Sequence, residues 1–287
     1  MNETEFISAL RQLPLHSGAR GLEDDCAVLE IGNETLILTH DAMAEGTHWL
    51  PDADPFDVAW RLVATNLSDL AAKGADPVGV LLGHSLGDND ERFLEGLHAI
   101  LTEYDVPLLG GDTLTTKSPR TLGMTAIGRA THTPVPSRSD AQIGDQVYVT
   151  GTLGRAMIGC ENFGDGSEND LAFRRPTPLL AEGQSVAPYV NAMMDVSDGL
   201  LLDAFRMAEA SRVSIAIDSS LVPIADEERR DECLRWGDDY QLLFTLPSDA
   251  NPPVQCTRIG TVEPLGFAPI ILDSEPIVNS EGLGYQH

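Results

Sequence analysis

Lysine is almost missing from these 287 residues: Lys73 and Lys117 are the only two. With 45 Asp and Glu against 18 Lys and Arg, the formal charge is −27. A field of that sign repels nucleic acid and anionic membrane and draws in cations, so divalent metals or a cationic ligand are the expected partners. Part of the charge is a solvated face, and Glu227, Glu228, Asp231 and Glu232 read as one. Aromatics are 6% against 42% hydrophobic residues, which predicts a substantial and mostly aliphatic core. No apolar run is long enough to span a membrane. The opening MNETEFISAL carries acids where a secretory leader carries Lys or Arg, so a soluble cytoplasmic protein is expected. Cys26, Cys160, Cys233 and Cys256 form no CxxC pair, which argues against a zinc ribbon or a disulfide framework and predicts free, buried thiols. There is no GxxxxGK[ST], no GxGxxG and no HRD or DFG signature. Any nucleotide must therefore be held without the common cradles.

What is present is a succession of short apolar runs, most of them punctuated by acids. Leu36–Thr39 reads as a strand with Asp41 at its end. Within VATNLSDLAAKGADP (63–77), a helical period links Leu62, Asn66, Asp69, Leu70 and Lys73, with Gly74 at the C-cap and Pro77 as a stop. VGVLLGHSLG is a strand, ERFLEGLHAILTEYD an amphipathic helix, VPLLGGDTLTT a strand ending in Gly110-Gly111-Asp112, and LGMTAIGRA a further strand. Composition shifts near 132–144, and the domain boundary is placed there. Beyond it, QVYVTGTLGRAMIG reads as strand, turn and helix, and 161–175 as a mobile Gly-rich loop. MMDVSDGLLLDAFRMAEAS runs from a strand through a turn into a helix. Asp238-Asp239 directly precede the strand Leu242–Leu246. Strands mixed with crossover-length helices predict two α/β or α+β domains.

Asp25, Asp41, Asp69, Asp112, Asp195 and Asp198 share one setting, beside apolar runs or at strand–loop junctions, often next to glycine. Carboxylates so placed need cations or backbone N–H partners. Taken singly, each also reads as a helix cap or Asx-turn, and Asp145 and Asp218 are assigned to that role. For Asp69, Lys73 one turn on is a candidate ion partner. With basic side chains scarce, metal is the better partner for the set, and oxygen ligands without clustered His or Cys favour Mg²⁺. Mg²⁺ commonly completes its shell with substrate phosphates, which points to a phosphate-bearing substrate. Gly110-Gly111 and Gly151–Gly154 either admit phosphates to backbone amides or are plain turns. Arg138 is either a phosphate contact or a surface residue.

GLEDDCAVL, THDAMAEGTHWL, ATNLSDLAAKGADP, LLGGDT, SRSDAQIGDQVYVTGTLG, MDVSDGLLLD, GDDYQLLFTLP and GYQH follow one another as the motifs of the thiamine-monophosphate kinase family do. From about residue 21 onward the chain resembles that family, whose fold is similar to that of the aminoimidazole-ribonucleotide synthetase (PurM-like) superfamily. The resemblance implies an α/β (α+β) two-domain PurM-like fold, with an N-terminal domain over 1–136 and a C-terminal α/β domain over 137–287. It also implies a homodimer formed through the N-terminal sheet, and a cleft that holds ATP and several Mg²⁺ ions.

By the same resemblance, Asp25, Thr39, Asp41, Asp69 and Asp112 in the first domain and Asp195 and Asp198 in the second are metal-binding positions. His40 lies in this stretch where the family has Thr, so its metal contact is through the backbone or absent. Gly111, Asp112, Arg138 and Ser197 correspond to nucleotide contacts, and His48, Asp238 and Tyr285 to thiamine phosphate contacts. Asp69, Asp112 and Asp198 are expected to carry the catalysis, with Asp69 bridging metals. WGDDY stands for the family's GGEDYE, SRSDAQ for TRSGAK, and the aromatic residue after the terminal motif is missing. These departures concern the substrate pocket.

The implied reaction moves the terminal phosphoryl group of ATP directly onto thiamine monophosphate, giving thiamine diphosphate. The nucleophile is an ionised phosphate oxygen, so positioning and charge neutralisation suffice without a general base. Trp236 or Tyr285 beside Asp238 is a candidate seat for the cationic thiazolium, with core packing the alternative for Trp236. Another PurM-like enzyme, such as an aminoimidazole-ribonucleotide synthetase, and a non-enzymatic acidic metal-binding protein are the rival readings. Selenophosphate synthetases and hydrogenase-maturation relatives use a reactive cysteine or selenocysteine that this chain does not carry at the corresponding end.

Overall fold

The structure, a computed structural model, describes residues 3–117 and 119–286. Met1, Asn2 and the last residue of the GYQH motif, His287, lie outside the described residues. The first half runs α1 (Glu3–Leu10), a 3-10 turn at Ser17–Leu22, β1 (Ala27–Ile31), β2 (Glu34–Ala44), α2 (Pro55–Ala71), β3 (Ala75–Leu86), α3 (Asp90–Glu103), β4 (Leu108–Thr115) and β5 (Thr121–Ala130). The second half contributes β6 (Gln146–Val149), α4 (Arg155–Glu161), α5 (Glu168–Arg174), α6 (Leu180–Val186), β7 (Ala192–Val196), α7 (Leu200–Ser211) and β8 (Val213–Ile217). It closes with α8 (Arg230–Arg235), β9 (Gln241–Leu246), β10 (Thr257–Pro264), β11 (Ile270–Leu272) and β12 (Glu275–Ile277).

The strands form two sheets, ordered β1-β2-β5-β3-β4 and β12-β11-β8-β10-β6-β9-β7. In the first, only β3 and β4 run parallel, and α3 supplies the crossover that a parallel pair requires. One core fills the space between the first sheet and α2 and α3, and another packs α7 on the second sheet. A third lies at the junction, where Ala71 and Ala72 meet Val186, Met193 and Phe244.

The helix α2 is the hub. Asp54 caps it by accepting from the N–H of Phe56 at 3.0 Å, and Pro55 takes the first turn, where no N–H is needed. Leu62, Val63, Leu67 and Leu70 are fully buried, each worth about 1.5–3 kcal/mol over exposure. Its far end must meet α6 closely: Gly74, at φ +59°, would carry a Cβ 2.4 Å from that of Ala187. A side chain fits there neither in conformation nor in space.

Several local expectations shift. The helix begins at Pro55, earlier than the 63–77 stretch suggested, because Asp54 and Pro55 form a capped start. Asp41 and the Gly110-Gly111-Asp112 triplet lie inside β2 and β4, not at their ends, since pairing with β5 and β3 carries both strands onward. Pro77 lies within β3, at the irregular register between Pro77 and Gly79. The segment 161–175 is no open loop. The buried carboxylate of Asp170 accepts from the N–H groups of Gly164 and Gly166 and pairs with Arg174, which pairs in turn with Asp57 of α2. Cys26 and Cys233 are buried and Cys160 and Cys256 half-buried, all free. Asp145 and Asp218 do cap local turns, accepting from the N–H of Gln142 and of Ser220. No helix among the described residues is long and apolar enough to cross a membrane.

Candidate active site

Four elements bring carboxylates to one place. Asp25 precedes β1, Asp41 lies on β2, Asp69 on the last turns of α2, and Asp195 near the end of β7. Oxygens of Asp25, Asp69 and Asp195 lie within 4.8 Å of one another. Asp41 and Asp69 also line, with Asp195 and Asp198, one wall of a cleft of about 640 Å³. The aromatic side chains of Trp49, Trp236, Tyr240 and Tyr285 stand elsewhere on the same cleft.

Neighbouring polar groups fix these acids. The Thr39 hydroxyl donates to Asp69. Ser68 donates to Asp195 at 2.6 Å, and Asn66, fully buried, accepts from the N–H of Asp41 at 3.2 Å while donating to the Leu62 carbonyl. Lys73 does not pair with Asp69. Its fully buried ammonium lies 2.6 Å from both Asp24 and Asp25 and donates to the Met193 carbonyl of β7. Arg138 is the second cation on Asp25.

Electrostatics divides the group in two. Burial works to raise the Asp25 carboxyl, but Arg138 and then Lys73 outweigh it and hold it below the carboxylate range. Among the described residues no Arg, Lys or His forms an ion pair with Asp41, Asp69 or Asp195. Burial, and then Asp41 and Asp195, push Asp69 well above its ordinary value. Burial, with Asp25 second, lifts Asp195 to about 7. Buried carboxylates facing each other without cations are costly unless a positive charge arrives, and an all-oxygen set this close suits a hard divalent ion. The residues therefore fit Mg²⁺.

Other expected residues are distributed around this centre. Asp198 and Ser197 lie on the turn after β7 and line the cleft, with Asp198 paired to Arg206 of α7. His48, half-buried, accepts from the N–H of Ala44, and Tyr285 donates its N–H to the Asp198 carbonyl. Both line the cleft, as does Asp238. Trp236 is 38% exposed, so it is a cleft residue rather than a core one. His40 points away: between inward Thr39 and Asp41 a strand must turn it to the opposite face, where it bonds Thr125. Gly111 and Asp112 are exposed on β4, and the Asp112 carboxylate accepts from the N–H of Thr113, outside the carboxylate group and the cleft lining. Two residues escaped the sequence reading. Ser68 reads from the sequence only as a polar break in an apolar run, and Arg61 stands at the same helical spacing, 61–65–69, that places Thr65 and Asp69 on the cleft wall.

Two family models cover most of the chain: the AIR synthase related protein N-terminal domain matches residues 23–130, and the C-terminal domain of the same family matches 142–264. The thiamine-monophosphate kinase of Escherichia coli K12 is 36% identical, covering 93% of this chain and 91% of that one. That of Aquifex aeolicus is 33% identical over 84% of this chain and 85% of its own length. Among solved structures, AaThiL complexed with AMPPCP and TMP superposes with a TM-score of 0.86 at 29% identity, covering 100% of this chain and 97% of that chain. A HypE–HypF complex, with a TM-score of 0.73 at 15% identity over 98% of this chain and 97% of the matched one, shares the fold alone. The two-sheet fold is thus the PurM-like one, and the chain belongs to the thiamine-monophosphate kinase family.

Proposed function

We propose that this protein transfers the γ-phosphoryl group of ATP to the phosphate of thiamine monophosphate, giving thiamine diphosphate and ADP by direct in-line displacement. The observation that carries this is the meeting of Asp25, Asp69 and Asp195 within 4.8 Å, drawn from both halves of the chain, beside a cleft that Asp41, Asp69 and Asp195 line together with Trp49, Trp236, Tyr240 and Tyr285. Asp25, Asp69 and Asp195, with Asp41 and Asp198 beside them, would hold Mg²⁺. Bound there, Mg²⁺ supplies the charge neutralisation that two facing phosphates need.

The chain's own groups do the positioning. Ser68 and Thr39 hold Asp195 and Asp69, Asn66 ties β2 to α2, and Lys73 ties the turn after α2 to β7. A bond forms from an acceptor phosphate oxygen to the γ-phosphorus, and the bond to the β-bridging oxygen breaks. The acceptor oxygen is already ionised, so no residue needs to take a proton. Gly111, Asp112, Arg138 and Ser197 retain the nucleotide role, and His48, Asp238 and Tyr285 the thiamine phosphate role. Residues 1–136 and 137–287 are taken as the two domains of a cytoplasmic homodimer. The exposure of Leu81, Leu108, Leu109 and Leu114 on β3 and β4 supports pairing through the first sheet.

The test is to incubate the purified chain with ATP, Mg²⁺ and thiamine monophosphate, and to follow thiamine diphosphate by chromatography. Product matching ADP one to one, and lost with EDTA, is expected. ADP release only with a different phosphorylated acceptor would reassign the substrate.

A further inference from the structure

Arg61 has no assigned part in the site, yet it is one of the best-anchored side chains on the cleft wall. Only 6% exposed, its guanidinium lies 2.5 Å from Asp238, donates to the Phe173 carbonyl at 2.7 Å and stacks 4.7 Å from the Phe173 ring centre. A planar fork held at three points has one available orientation. Asp238 is its counterpart from the segment that leads into β9. The backbone there is left-handed, at φ +67°, with its N–H donated to the Ser197 carbonyl at 2.8 Å. One carboxylate oxygen faces Arg61 and the other accepts from the Tyr240 hydroxyl at 3.0 Å. A carboxylate has about four acceptor positions, so two partners leave capacity for a ligand. The Asp238 side chain is 30% exposed, and it lines the cleft.

Charge and distance say which end of a ligand meets this pair. Arg61 neutralises Asp238, so the pair reads hydrogen-bond donors rather than net positive charge. Arg61 and Asp69 are eight residues apart on one helix face, about 12 Å along the axis. A substrate with its phosphate at the carboxylate centre therefore presents its opposite end near Arg61. On the reading of thiamine monophosphate as substrate, that end is the aminopyrimidine, whose exocyclic amine is a donor.

We propose that Arg61 is a positioning residue for substrate specificity: it holds the Asp238 carboxylate in the orientation that accepts the amine of the aminopyrimidine ring. Arg61 does not touch the reacting phosphates, so its loss weakens recognition of one end of the substrate and spares the transfer step.

The experiment compares steady-state kinetics on thiamine monophosphate and on an analogue with phenyl in place of the aminopyrimidine, which keeps the thiazolium and the phosphate. Wild type is expected to prefer the natural substrate. Arg61→Met should cut that preference by roughly tenfold or more through a raised KM for thiamine monophosphate. The kcat, the KM for ATP and the KM for the phenyl analogue should stay within about threefold, since none of these involves the lost hydrogen bond. Asp238→Asn, which keeps the side-chain volume, should narrow the preference in the same way and reads the same pair if the arginine variant does not fold. An unchanged preference in the folded variants overturns the proposal. So does an equal rise in KM for both substrates, which would put Arg61 on the phosphate. A wild type inactive on both substrates overturns the substrate reading first, and this role of Arg61 with it.

Discussion

Ser68 on α2 donates a 2.6 Å hydrogen bond to Asp195 on β7, although 127 residues separate them. Both are buried, so the bond joins the hub helix of the first sheet to the edge strand of the second at the carboxylate centre. Ser68→Ala should cost about 1–3 kcal/mol, because it leaves a buried acceptor short of a partner. It should also weaken Mg²⁺ binding by about tenfold by freeing the Asp195 rotamer. Urea denaturation and calorimetric titration with Mg²⁺ measure the two effects separately.

Asp69 faces three other carboxylates and pairs with no cation among the described residues, so removing it should help the metal-free fold while ruining the site. Asp69→Asn is expected to raise the melting temperature of the EDTA-treated protein by about 2–4 °C, which for a chain of this size corresponds to about 1 kcal/mol. Thiamine diphosphate formation should fall by about a hundredfold or more, and the rise in melting temperature on adding Mg²⁺ should shrink. A variant melting lower than wild type without metal would contradict the repulsion inferred among these acids.

Lys73 is fully enclosed between Asp24, Asp25 and the Met193 carbonyl. Lys73→Met leaves both carboxylates buried beside too little positive charge, with Arg20 and Arg138 their remaining cationic partners among the described residues. A destabilisation of about 3–5 kcal/mol is expected in equilibrium denaturation. A loss below 1 kcal/mol would mean that Arg20 and Arg138 compensate the pair alone.

Acid should loosen the α5 anchor. Arg174, together with the N–H groups of Gly164 and Gly166, holds the Asp170 carboxyl at about 2, below its ordinary 3.8. A group with a lowered folded pKa binds its proton more readily in the unfolded chain. Its stabilisation is thus complete above about pH 4 and is lost as pH falls toward 2. Denaturation midpoints between pH 6 and 2.5 should therefore fall less steeply for Asp170→Asn than for wild type, and start lower at pH 6.

Much of the site was legible because it rests on local signals. The strand–turn–helix at MMDVSDGLLLD, the capped helix through Asp69 and the motif acids each depend on neighbours a few residues away. His40 shows a local rule applied over too short a range: with Leu36–Thr39 taken as the whole strand, the alternation that turns His40 outward could not be used. The 161–175 segment failed differently. Its glycines read as loop, but Gly164 and Gly166 supply N–H groups to a buried carboxylate and the segment closes onto α2.

By itself the sequence determined most of the order of elements, the acidic character of the site, the family and, through it, the reaction. Periodicity, capping and motif spacing are short-range properties written along the chain. The tertiary structure decided which acids meet, that Lys73 serves Asp24 and Asp25 rather than Asp69, and that Arg61 reaches Asp238. Each of those contacts joins segments far apart in sequence. It exists only because α2 is buried between the two sheets, where a charged group must take whichever partner the packing brings within reach.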